Sequence, residues 1–140
     1  MTGHEYEYVV AEYLKNNGYK NIKVTKGSGD YGVDVVARKG IKKYAVQCKY
    51  YHYPVSLGAV QEAVAGKAMY ECNSAMVITN STFTKAAEEL AAKNGVVLIP
   101  NIASAGVCPK KHFALFGIIT GAVLATVALG IGIFLFTHGL

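Results

Sequence analysis

Apolar and polar residues recur along the first hundred positions with two distinct periods. Tyr6, Val9, Val10, Tyr13 and Leu14 keep the spacing of a helix face and Asn16-Asn17-Gly18 supplies a stop, so an amphipathic helix is predicted over residues 4–17. Ile22 and Val24 then alternate with Lys23 and Thr25 as in a short strand, and Lys26 to Asp30 reads as a loop. Tyr31 to Arg38 and Lys43 to Tyr51 are two β-rich segments, and Lys39-Gly40-Ile41-Lys42 between them is short enough for a hairpin. Pro54 ends the second strand. From Val55 to Tyr70 the positions Leu57, Val60, Ala63, Val64 and Ala68 mark a helix with a small-residue face. Ala75 to Thr79 is almost unbroken apolar sequence, which predicts a buried strand. A helix capped by Thr82 or Asn80 runs through Lys93 and stops at Asn94-Gly95, and Val96 to Ile99 forms a further strand. A hairpin followed by strands alternating with helices implies a mixed α/β sheet flanked by helices on both faces.

The pattern changes after residue 100. Asn101 to Lys111, with Gly106 and Pro109, has the composition of a linker, expected over residues 101–112. Phe113 to Phe136 then runs for 24 residues without a charge, enough to cross a hydrocarbon core of about 30 Å. Its length without a polar residue other than Thr argues against a buried core helix. Lys110, Lys111 and His112 flank one end, so a single-pass membrane helix is expected with the domain of residues 1–100 on the cytoplasmic side. Gly117 and Gly121 have the GxxxG spacing through which two such helices pack, which makes a homodimer the expected assembly if the helices pair.

With 140 residues, one globular domain fits beside that tail and a two-domain enzyme is excluded. The formal charge of +5 comes from Lys and Arg that all precede His112. A basic domain suits nucleic acid or anionic lipid, although such an excess also occurs in proteins that bind neither. Cys48, Cys72 and Cys108 lie far apart with no zinc-ligand spacing, and read as reduced thiols. His4, Glu5 and Glu7 stand where the apolar stretch of a secretory signal would have to be.

Chemistry concentrates on the hairpin. A regular register that pairs Arg38 with Lys43 puts Asp34 opposite Gln47, and Lys49, two residues on, shares the face of Gln47. One face then gathers Asp34, Gln47 and Lys49; the other gathers Val33, Val35, Ala37, Tyr44, Val46 and Cys48. Polar groups on a central strand pair are costly unless they satisfy one another or are used. A carboxylate and an amide oxygen can hold a hard cation such as Mg²⁺, and a nearby ammonium can stabilise charge growing on a phosphate, a set that suits phosphodiester hydrolysis. An Asp34–Lys49 ion pair on an exposed sheet face accounts for the same residues.

Glu7, then Gly29-Asp30-Tyr31-Gly32-Val33-Asp34, then Val46-Gln47-Cys48-Lys49-Tyr50-Tyr51 form an ordered series that resembles the Mrr-like branch of the PD-(D/E)xK nucleases, in which Gln commonly fills the last acidic position. The likeness continues through Pro54-Val55, Gln61-Glu62, Thr79 to Thr84 and Ala87 to Ala91, over residues 3–100. It implies a restriction-endonuclease-like fold and a Mg²⁺-dependent DNA endonuclease in which Mn²⁺ can substitute. Asp34 would be the principal metal ligand, Gln47 the second, Lys49 the catalytic lysine, and Glu7 the acidic residue on the first helix that completes the site. At about 100° per residue Glu7 lies beside Leu14 at the edge of the apolar stripe, while Glu5 and Glu12 point further toward solvent. Asp30 and His52 are further candidates, the first equally a turn former and the second a loop histidine. Tyr50, Tyr51 and Tyr53 are candidates for a nucleic-acid groove, and Thr79 to Thr84 for a phosphate contact at a helix N-terminus or simply its cap. Mrr-like restriction enzymes usually carry a separate DNA-recognition domain, for which the chain has no room. The expected whole is a membrane-anchored endonuclease with DNA and, through residues 113–136, membrane lipid as partners. A catalytically silent nuclease-fold module that binds DNA at the membrane is the alternative; the intact Glu7, Asp34, Gln47 and Lys49 argue against it. A membrane-interaction protein with a basic face would leave the acidic residues unexplained.

Overall fold

The computed structural model describes residues 1–26 and 31–103. Helix α1 (Gly3–Asn16) opens with a capping box: the Thr2 side chain accepts from Glu5 N, and Thr2 N donates to Glu5 Oε2 at 2.7 Å. Its buried side chains, Tyr6, Val10 and Leu14, form the predicted stripe. Strands β1 (Lys20–Val24), β2 (Val35–Lys39) and β3 (Lys42–Lys49) follow, then α2 (Leu57–Met69), β4 (Ser74–Thr79), α3 (Lys85–Asn94) and β5 (Val97–Ile99).

The strands lie in the order β1-β2-β3-β4-β5. Pairing is antiparallel from β1 to β3 and parallel from β3 to β5, the mixed sheet the element order implied. Arg38 pairs with Lys43, as the hairpin register requires. On one face Val35, Ala37, Val46, Met76 and Ile78 pack with Tyr6, Val10 and Leu14 of α1. On the other, Ala75 and Val77 meet Ala59, Val60 and Ala63 of α2 and Ala87 and Ala91 of α3. Strand β4 is thus buried on both faces, the physical reason for its unbroken apolar run. Truncating a fully buried Leu14 or Ile78 to Ala would cost about 2–5 kcal/mol.

Three local features differ from the sequence expectations. Strand β2 starts at Val35, not Tyr31, because Tyr31 (φ 50°) and Gly32 (φ 74°) adopt left-handed conformations that interrupt the pleat. Face alternation therefore does not reach Val33, which packs with Ala45 and Cys72 instead of sharing the α1 face with Val35. Thr84, rather than Thr82 or Asn80, caps α3, its hydroxyl accepting from Ala87 N at 3.3 Å. Residues 82–84 are extended, since Phe83 pairs with Val55 in a parallel bridge.

The packed core continues through Ile102, two residues into the stretch expected to be linker. Ile102 is buried, its carbonyl accepts from Tyr6 Oη at 2.9 Å, and its N–H donates to Thr79 O at 2.9 Å. Among the described residues no helix is long and apolar enough to cross a membrane. Phe113 to Phe136, with Gly117 and Gly121, lies outside the described residues, as do Asp30 and Cys108.

Candidate active site

Of the polar residues singled out on the hairpin, Asp34 and Gln47 are in contact, and Lys49 ends β3 with a partner on α2. Asp34 immediately precedes β2, and its N–H donates to Val46 O at 2.9 Å, which carries the ladder one step past the strand. This aligns Asp34 with Gln47. The Asp34 Oδ2 atom accepts from Gln47 Nε2 at 2.7 Å and from Cys48 N at 2.7 Å.

Because a carboxylate only accepts, Gln47 must present its NH₂ to Asp34, and its carbonyl oxygen is turned elsewhere. Gln47 is buried, and among the described residues its Oε1 is the buried side-chain polar atom without a hydrogen-bond partner. Leaving such an oxygen unpaired costs about 1–3 kcal/mol, so its position calls for a reason beyond stability. Gly32 packs directly against it. At φ 74° a Cβ on Gly32 would lie 2.6 Å from Gln47 Oε1 and 2.8 Å from Glu62 Cβ, so both conformation and space require glycine.

Lys49 points toward α2, where Nζ lies 2.6 Å from Glu62 Oε2. The Lys49 side chain is 18% exposed and that of Glu62 48%, so the pair spans the boundary between core and solvent. Glu62 belongs to the Gln61-Glu62 stretch of the resemblance, which gave it no place in the site. Lys49 and Glu62 are on different elements, and only the rule that a largely buried ammonium needs a partner pointed to one.

Glu7 approaches from α1. Its side chain is 14% exposed, against 64% for Glu5 and 61% for Glu12, and its Oε2 lies 2.8 Å from His4 Nδ1. Burial, followed by the negative charges of Asp34 and Glu7, pushes the Cys48 thiol well above its usual range, while Lys49 acts in the opposite sense. The three charged candidates therefore lie within electrostatic reach of one buried sulfur.

The remaining candidates have separate surroundings. Asp30 lies outside the described residues. His52 is exposed, its ring edge-on to Tyr50 with centroids 5.9 Å apart. Thr79 Oγ1 accepts from Ser81 N at 3.1 Å and Thr84 caps α3, so these two hydroxyls already serve the backbone. Tyr50 packs on Tyr6, and Tyr51 stacks on Tyr53. Asn80, expected as a cap, brackets the Tyr51 backbone: Tyr51 N donates to Asn80 Oδ1 at 2.8 Å, and Asn80 Nδ2 donates to Tyr51 O at 2.9 Å.

Among the described residues no three His, Cys, Asp or Glu side chains are grouped to hold a metal ion. Asp34 and the Gln47 carbonyl offer oxygen donors of two kinds, which suits a hard cation that completes its shell with water and phosphate rather than a closed protein cage.

A family model described as Restriction endonuclease, Mrr_cat, matches residues 1–103. A crystal structure of the protein of unknown function AF1548 is similar with a TM-score of 0.59 and 21% identity, covering 71% of this chain and 58% of that one. The MspJI restriction endonuclease, solved in complex with a 27-mer oligonucleotide, is similar with a TM-score of 0.50 and 22% identity, covering 72% of this chain and 27% of that one. The chain therefore spans less than two thirds of either structure, and the likeness to both is one of fold. No curated protein matches the chain.

Proposed function

The chain belongs to the Mrr_cat family of restriction endonucleases, and on that premise we propose that its restriction-endonuclease-like nuclease domain hydrolyses DNA phosphodiester bonds with a divalent cation. Mg²⁺ is the proposed cofactor, with Mn²⁺ able to replace it. The observation that carries this reading is the buried, unpartnered Gln47 Oε1, whose amide is tied to the Asp34 carboxylate through Nε2. A buried amide oxygen that no donor satisfies fits an oxygen-seeking cation. Asp34 and Gln47 would hold that cation and Glu7 would add negative charge beside it; when bound, the cation supplies Lewis-acid stabilisation of the phosphate.

The chain's own groups have distinct tasks. The Lys49 ammonium faces the phosphate and offsets the charge that develops on it. Glu62, at 2.6 Å, orients that ammonium. The hydrogen bonds from Gln47 and from Cys48 N keep the Asp34 carboxylate in one rotamer, so the site is formed before substrate arrives.

We further propose that Phe113 to Phe136 anchors the chain in a membrane with the nuclease domain on the cytoplasmic side, and that Gly117 and Gly121 allow two such helices to pair. Support comes from the uncharged length of the segment and its one-sided basic flank.

The deciding experiment is incubation of the full chain, in detergent micelles, with supercoiled plasmid and either Mg²⁺ or EDTA. Nicked or linear product with Mg²⁺ alone is the expected result. DNA binding without cleavage under both conditions would favour a silent DNA-binding module and overturn the enzymatic reading.

A further inference from the structure

We propose that Tyr51 and Tyr53 form a stacking platform for an unpaired nucleotide, so that the domain's substrate is DNA with single-stranded or distorted nucleotides beside the cleaved phosphate. The proposal rests on the nuclease reading and names its substrate class. The two rings stack with centroids 4.7 Å apart and planes at 22°. Tyr51 packs against the α2 and α3 layer, whereas Tyr53 is 61% exposed, so the outer ring of the pair is open to solvent.

The backbone beneath the rings is held on both sides. Asn80 brackets Tyr51 through two hydrogen bonds. Two residues past Tyr53, Val55 N donates to Thr82 O at 2.8 Å and Val55 O accepts from Thr84 N at 3.0 Å. Folding gains little from a ring left so exposed, yet the segment carrying it is well anchored. Such an aromatic surface loses little entropy when a ligand docks on it.

The place of the platform selects the ligand. Tyr53 follows Lys49 by four residues, a span of at most about 14 Å, so a base on its ring lies within a few nucleotides of the phosphate facing Lys49. In the interior of an intact duplex both faces of every base are covered by its neighbours. Away from duplex ends only an unpaired or extruded nucleotide can offer a face to the ring, and any base will serve, since each has a π surface. The excess of positive charge, +5 over the chain, attracts single strands and duplexes alike. Discrimination between them then falls to the tyrosines.

The test measures binding of the full chain in detergent micelles, with EDTA to prevent cleavage, to a single-stranded oligonucleotide carrying 2-aminopurine and to a duplex of equal length. The wild-type chain should quench the probe in the single strand. Tyr53→Ala should raise the single-strand Kd by about five- to a hundredfold and remove the quenching, with duplex affinity shifted less than about twofold. Tyr53→Phe should behave as wild type, and equal melting temperatures for the three chains would show that folding is intact. Unchanged single-strand binding by Tyr53→Ala, or equal losses for both DNAs, would overturn the platform even if plasmid cleavage proceeds normally. Tyr53-dependent quenching in a chain that cleaves nothing would support the platform and refute the nuclease reading alone.

Discussion

Lys49 on β3 and Glu62 on α2 meet across the boundary between sheet and helix, with Nζ 2.6 Å from Oε2. The contact restrains an ammonium that would otherwise explore many rotamers, and couples the proposed catalytic lysine to the packing of α2.

Glu62→Gln removes the charge and keeps the shape. With the lysine free to move, kcat for plasmid cleavage should fall by about ten- to a hundredfold, while KM for DNA stays level or drops because a negative charge has gone. Stability should change by no more than about 1 kcal/mol, since the carboxylate is nearly half exposed. Steady-state kinetics separates the two effects; a raised KM with normal kcat would mean that Glu62 acts on binding.

Asp34→Asn should abolish Mg²⁺-dependent cleavage while the chain stays folded. Asp34→Ala should also unfold more easily, by about 1–3 kcal/mol, because Gln47 Nε2 and Cys48 N lose their acceptor. Lys49→Ala should lose cleavage but still bind Mn²⁺, since an ammonium has no lone pair to give a cation. Calorimetric titration with Mn²⁺, run beside the plasmid assay, distinguishes these roles; wild-type cleavage by Asp34→Asn would remove Asp34 from the site.

Gly66 and Gly58 both lie on α2, and Ala should have opposite effects at the two positions. Helix propensity favours Ala over Gly by about 1 kcal/mol. At Gly66 the added Cβ collides with Val33 Cγ2 and lies 3.1 Å from Tyr31 O, and the strain of overpacking, about 1–3 kcal/mol, outweighs that gain. At Gly58 the nearest atom is Ser56 Oγ at 3.8 Å. Urea unfolding should therefore show Gly66→Ala destabilised and Gly58→Ala slightly stabilised, with cleavage impaired only in the former, whose collision displaces the segment carrying Gly32.

Alkaline solution should destabilise the domain progressively above pH 9.0. Burial pushes Tyr19 from 10.0 up to about 12, and burial with the Asp34 and Glu7 charges raises Cys48 above 9.0. A folded-state pKa above the unfolded one favours the protonated, folded form. This stabilisation is whole below pH 9.0 and is lost as the pH rises toward 12. Urea midpoints that stay constant to high pH would show that these groups are not protected in the folded chain.

The full chain should sediment with membranes and resist alkaline carbonate, whereas a chain ending after Ala103 should be soluble, folded and active on plasmid. The cut belongs after Ala103 because Ile102 is part of the core and accepts the Tyr6 hydroxyl. Detergent-free solubility of the full chain would overturn the proposed anchor.

The sequence alone determined the periodic face of the first helix and the register of the hairpin, though not the cap of α3 or the start of β2. The helical spacing of Tyr6, Val10 and Leu14 foretold the buried face of α1, and it separated Glu7 from the solvent-facing Glu5 and Glu12. A short connection between two β-rich segments set the hairpin register, and with it the contact of Asp34 with Gln47, because a strand pair has one regular way to continue past a tight turn. Tertiary structure decided what depends on how separate elements stack. The backbone reverses handedness at Tyr31 and Gly32, so Val33 fits beneath Gly66 of α2 and leaves the face of Val35. Lys49 acquires Glu62 across the sheet and helix layers, and Asn80 holds Tyr51 between the ends of two neighbouring strands, pairings that no residue spacing encodes. A one-dimensional pattern carries the period of an element and the face it buries; which side chain waits on the opposing layer follows only once the packing of the layers is known.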